Sequence, residues 1–199
     1  MQTIDLGLQG KARIWQDEPF VFPGNYRPIY YPIVEERIET TLNDTKTGIL
    51  SQTEVMIEIL APLGARFLYG CLGAMFMPNN SGKLVLTVCI STESEPQLDN
   101  SLASSLDVVR NGIIEEYASS IFEGAKLKLQ ENGISNIFGS GEVYFRWGAF
   151  GEIGSSIAFF HDLAYAVIQL MVNDKGQSDN IKSPVKNFLE QSLSTANNN

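Results

Sequence analysis

The side chains able to act as acids, bases or ligands fall in adjacent pairs rather than in a convergent set. His161, the only histidine, precedes Asp162, and an imidazole oriented by a carboxylate is one way to build a general base. Neighbouring helical positions point about 100° apart, however, so no catalytic or metal-binding pair is expected there. Glu115 and Glu116 are also consecutive on a predicted helix, which suits solvated carboxylates better than the facing acid and base of a glycosidase. Glu142 and Glu152 flank a predicted strand and turn and could face one cleft, but a surface position is the ordinary setting for such residues.

Cys71 and Cys89 are the two cysteines, on predicted strands either side of PNNSG at 78–82. In a tight hairpin they would stand nearly opposite, within disulfide reach. In a reducing compartment two buried free thiols are expected instead. Two sulfurs and one imidazole would have to recruit carboxylates to complete a four-ligand zinc site. No metal and no cofactor is expected, and no GxxxxGK[ST] phosphate loop occurs.

The elements that position these groups are legible from periodicity. In EVYFRW, Val143, Phe145 and Trp147 share one face at period two, as a strand over a buried layer requires. The turn GAFGEIG follows, and Ser155 or Ser156 can cap a helix whose apolar face carries Phe160, Ala164, Val167, Ile168 and Met171. Upstream, Thr53–Leu60, Ala65–Met77 and Lys83–Thr92 read as strands, the last two joined by PNNSG as a hairpin. Ile33–Leu42 suits either period, and extended structure is expected. A long helix is expected over 101–131, with Leu106, Val109, Ile113, Tyr117 and Ile121 on a drifting stripe. Gly112 and Gly124 inside it mark close packing or a break. The fold class predicted is α+β, a two-layer α/β sandwich in the order β-β-β-α-β-α.

That order and several short patterns resemble the fourth domain of translation elongation factor G. Val109, Gly112, Ile113 and Glu115 are similar to the family's first helix in this domain, and Pro32, Val34 and Arg37 to the strand that enters it. Gly148, Phe150, Glu152 and Ile153, then Ser155, Ser156, Phe160 and Ala164, resemble its strand-turn-helix stretch. The resemblance spans roughly residues 32–172 and implies a sandwich with a left-handed β-α-β crossover, a rare hand. It does not imply the factor's activity. Gly151 stands where the family has a histidine in the tip turn, and the glycine-rich tip loop has no clear counterpart.

A chain of 199 residues can bury one substantial core. One domain is expected over 32–172, flanked by two extensions. Residues 1–31 read as an extended arm, because Pro19, Pro23 and Pro28 oppose a helix. Its aromatics Trp15, Phe20, Phe22, Tyr26, Tyr30 and Tyr31 either lie on the core or form an interaction surface. Residues 173–182 read as a flexible linker, Ser183 and Pro184 start a short amphipathic helix carrying Val185, Phe188, Leu189 and Leu193, and the final TANNN is expected to be disordered. Phe188 and Leu189 dock on their own domain or on another chain.

A formal charge of -9 and a pI near 4.6 repel phosphate backbones, so broad nucleic-acid binding is not expected. No apolar run approaches the roughly 20 residues that span a bilayer. No secretory leader is recognisable in MQTIDLGLQGKARIW, and a cytoplasmic protein is expected. The function that best suits an absence of converging catalytic residues is a non-enzymatic binding or assembly protein that contacts protein partners or itself. The alternatives are an enzyme with a site of scattered carboxylates and hydroxyls, and a translation-associated factor contacting ribosome or RNA.

Overall fold

Eight strands and three α-helices follow one another in the computed structural model, which describes residues 1–18, 32–41, 48–92, 97–131, 133–173 and 185. The strands are β1 (Gln2–Asp5), β2 (Lys11–Gln16), β3 (Ile33–Thr41), β4 (Thr53–Leu63), β5 (Arg66–Pro78), β6 (Leu84–Ser91), β7 (Val109–Asn111) and β8 (Gly141–Gly151). The helices are α1 (Glu115–Gln130), α2 (Ile134–Phe138) and α3 (Ile157–Val172). The architecture is mixed α/β, as expected, and Ile33–Thr41 is extended. All strands join one sheet in the order β1-β2-β4-β5-β8-β6-β3, with β7 paired to the end of β8. Among the described strands only β6 and β8 run parallel, and every other pair is antiparallel.

The parallel pair corrects the expected hairpin. PNNSG does not bring β5 and β6 together, because β8 lies between them: Gly141 is paired with Pro78 on one side and with Leu84 on the other. The turn instead wraps the start of β8. Asn79 N donates to Ser140 O at 3.0 Å, Gly141 N donates to Lys83 O at 2.9 Å, and Ser140 Oγ donates to Asn79 Oδ1 at 2.9 Å. Val143 and Phe145 are fully buried, so their burial favours the central slot that this turn opens.

The expected helix over 101–131 is also corrected. Residues 101–107 form turns, 109–111 form a short strand, and the helix begins at Glu115. Gly112 has φ +127, a conformation closed to most side chains and incompatible with a continuing helix. Leu106, read as part of the apolar stripe, is 55% exposed. Gly124 has the other role envisaged for such a glycine. A Cβ there would lie 2.0 Å from the backbone oxygen of His161, so α1 and α3 cross backbone against backbone.

The first half of the aromatic arm belongs to the sheet. β2 pairs with β4 from Lys11↔Leu60 to Gln16↔Val55, and Trp15 is fully buried. The boundary at residue 31 therefore separates residues 2–16 from the sheet they help to build. At the other end, Val185, the only described residue beyond Asn173, is helical and buried in the hydrophobic core. Ser156 caps α3 by accepting from Phe159 N, while Ser155 Oγ accepts from Gly151 N at 2.9 Å and donates to Tyr69 O at 2.8 Å. The serine pair thus fixes both the helix start and its seat on the sheet. Beneath it, Tyr117 and Phe160 stack with centroids 4.4 Å apart.

Among the described residues no helix is long and apolar enough to cross a membrane. The α1–α3 crossing gives a test with a definite sign. At an open helical site Gly→Ala stabilises by about 1 kcal/mol, but Gly124→Ala is expected to destabilise by about 1–3 kcal/mol through overpacking, read as a lower urea midpoint.

Candidate functional site

Within β4, one carboxylate interrupts a run, 55–61, that is otherwise apolar on both faces. In β4, Val55, Met56, Ile57, Glu58 and Ile59 are all fully buried. An unpaired charge there would carry a severe desolvation penalty. The register sets Glu58 opposite Arg13 in β2 and Cys71 in β5. The neighbouring pair, Ile59 and Gly70, occupies the other face, where a Cβ on Gly70 would meet Leu163 of α3 at 2.5 Å. Glu58 therefore points away from α3.

Its oxygens are satisfied from three directions. Oε2 receives Arg13 Nη1 at 3.0 Å, and Oε1 accepts from the Tyr69 hydroxyl at 3.1 Å and from Leu102 N at 2.7 Å. Arg13 Nη1 also donates to Asn100 O at 2.9 Å. The two sheet residues thus hold the loop after β6 by its backbone. Its far end is held by Asp107, whose carboxylate accepts from Gly154 N at 2.8 Å and from Ile153 N. The loop is pinned to β2 and β4 at one end and to the turn before α3 at the other.

Burial raises Glu58 above its ordinary value of 4.5, while Arg13, the Leu102 amide and Tyr69 act in the opposite direction. Burial, then the charge of Glu58, pushes Tyr69 and Cys71 well above their usual values. Tyr69 therefore stays a donor and Cys71 stays a thiol. A closed, satisfied cluster of this kind anchors a loop; it presents neither a nucleophile nor a base.

A second polar group lies along β3, β6 and β8. Glu142 accepts from Thr87 Oγ1 at 2.8 Å. Hydrogen bonding to Glu142, followed by burial, pushes Tyr144 up to about 12. Burial, then the charge of Glu36, pushes Cys89 up to about 11, against the pull of Arg146. Both groups keep their protons at neutral pH.

The residues singled out from sequence are dispersed. Glu142 and Glu152 stand at opposite ends of β8, on the order of 30 Å apart at strand rise, so they share no cleft; Glu152 pairs with Arg110 at 2.6 Å. Glu115 pairs with Arg37, and Glu116 is exposed. His161 and Asp162 depart from expectation, because Nδ1 reaches Asp162 Oδ1 at 3.0 Å; both are one-third exposed, and the ring folds back across the helical offset. Cys71 and Cys89 are buried and are not joined by a disulfide, and their strands are separated by β8. Of the expected interaction residues, Trp15 is in the core, while Phe20, Phe22, Tyr26, Tyr30, Tyr31, Phe188 and Leu189 lie outside the described residues.

Sequence reasoning missed Arg13, Glu58, Tyr69 and Asp107. The signal for Glu58 was present, since an acid between Ile57 and Ile59 in a strand apolar on both sides needs a buried partner. No protein-family model matches the chain, and no curated protein matches it.

Glu58→Ala strands Arg13 and is expected to cost about 3–5 kcal/mol by denaturant unfolding. A raised carboxyl pKa means that the folded state holds the proton more tightly. The associated stability is present below the unfolded value of 4.5 and is lost as pH rises through the folded value. Glu58→Gln is expected to flatten that decline in a pH series of unfolding midpoints.

Proposed function

We infer that this chain is a non-enzymatic binding protein that acts through protein–protein contacts. The observation that carries the reading is the edge strand β3. Among the described strands it ends the sheet beyond β6, and it exposes Ile33 at 43%, Val34 at 59% and Ile38 at 60%. A strand of this kind offers unpaired backbone groups beside apolar side chains, which is what the addition of a partner's strand uses. The titratable clusters support the same reading. Glu58, Tyr69 and Cys71 are enclosed in a loop anchor, and Tyr144 and Cys89 are shifted away from neutrality, whereas acid–base catalysis needs groups poised near the working pH.

Cytoplasmic residence belongs to this proposal and is supported by two buried cysteines that form no disulfide with each other. A protein partner rather than nucleic acid is supported by the charge of -9. The likeness to the fourth domain of elongation factor G, with its left-handed crossover, is proposed for the fold alone. The succession β4, β5, β6, α1, β8, α3 and the parallel pairing of β6 with β8 support it. Function does not follow from such a likeness.

Photo-crosslinking tests the reading. A photoreactive residue at Ile38 is expected to capture protein from native extract in higher yield than one at Leu127 on α1, which is also exposed, and excess unlabelled chain should compete the adduct away. Equal, uncompeted yields at both positions contradict it.

A further inference from the structure

The charge on β3 specifies the partner more closely than its exposure does. Along Ile33–Glu39, only Arg37 and Glu39 are partly buried, and the other side chains are exposed. Arg37 is neutralised by Glu115 and donates to Ser119 at 2.8 Å, and Glu39 is neutralised by Lys126. Glu35 and Glu36 have no ion pair among the described residues, and the positive charge that acts on Cys89, opposite Glu36, is Arg146. Glu36 stands opposite Cys89 and Ile38 opposite Thr87; they share one face of the strand, while Glu35 points with Arg37 and Glu39 toward the helices.

A second copy of this chain is a poor occupant. Antiparallel self-pairing would gather Glu35 and Glu36 of both copies along one seam, and like charges directly across a ladder are destabilising. Each chain also brings a charge of -9, which repels a like chain over the whole approach. The irregularity between Ile33 and Glu35 bends the start of the strand, a feature that limits indiscriminate edge pairing. The same carboxylates attract a strand of opposite sign, and Val34 and Ile38 offer it apolar cover.

We propose that β3 binds an extended basic segment of a partner protein by strand addition, with Lys or Arg side chains set against Glu35 and Glu36 and β-branched side chains against Val34 and Ile38. The inference rests on the protein-contact reading above. Backbone hydrogen bonds supply the ladder, and alternate side chains supply the choice of partner.

The test titrates the full chain with a fluorescent synthetic peptide in which pairs of consecutive lysines alternate with valines, so that lysine reaches both faces of the strand, followed by anisotropy. Binding is expected, weakening as salt is raised. The double variant Glu35→Lys, Glu36→Lys should lose about tenfold or more in affinity, as should a peptide N-methylated along one backbone edge. Both glutamates are exposed, so the variant should unfold at the wild-type denaturant concentration. The proposal is overturned if the peptide fails to bind, if the variant binds it equally well, or if N-methylation has no effect. Should the peptide fail while a crosslinker at Ile38 still captures a competable protein, the basic-strand chemistry falls and the protein-contact reading stands. If both fail, both fall.

Discussion

The burial of the Glu58 carboxylate is the constraint around which the rest of the structure is arranged. A charge in the middle of a sheet is tolerable only with an opposite charge and hydrogen bonds on its remaining lone pairs. Arg13, Tyr69 and the Leu102 amide provide them. Three distant parts of the chain are drawn together as a result: the N-terminal strand pair, the β4–β5 hairpin and the loop that leaves β6. Any hydrophobic residue at position 58 could fill the volume, but none would hold Arg13 and the loop in place. The carboxylate thus contributes specificity of arrangement more than net stability.

That arrangement has consequences at both ends of the sheet. With the loop pinned at Asn100–Leu102 and at Asp107, the chain reaches β7 and α1, and α1 meets β3 only on one face, at Arg37 and Glu39. The crossover returns as β8 into the centre of the sheet, parallel to β6 and antiparallel to β5. β3 is left as the last strand on its side, held by β6 and by ion pairs to α1. The outer position of β3 among the described strands is therefore a by-product of how the interior is closed. Under the proposal, its carboxylates disfavour a second copy and set the sign of the partner.

Much of this was legible in the sequence and some was not, for identifiable reasons. Alternation located β4, β6 and β8, since a strand with one face on a core must place apolar residues at every second position. The paired serines located the start of α3 because a helix amide needs an acceptor. The Leu106–Val109–Ile113 stripe misled, because helical spacing recurs by chance across a turn, a short strand and a helix start. PNNSG misled because turn chemistry fixes a reversal and cannot say whether another strand will enter between the arms. Trp15 went to the core rather than to a surface, the outcome expected of a large apolar ring in a strand. The Arg13–Glu58 pairing spans 45 residues, and no local pattern carries it; only the acid amid apolar neighbours hinted that a partner existed.

The central claim is that the interior is closed by a buried ion pair while β3 keeps an open outer edge. Residue-resolved hydrogen exchange on the full chain tests both parts at once. The account predicts strong protection of the Leu102 amide and of β4, β5 and β8, with an alternating pattern along Ile33–Thr41 in which amides facing β6 are protected and outward amides exchange rapidly. Uniform protection along β3, or rapid exchange at Leu102, would contradict it.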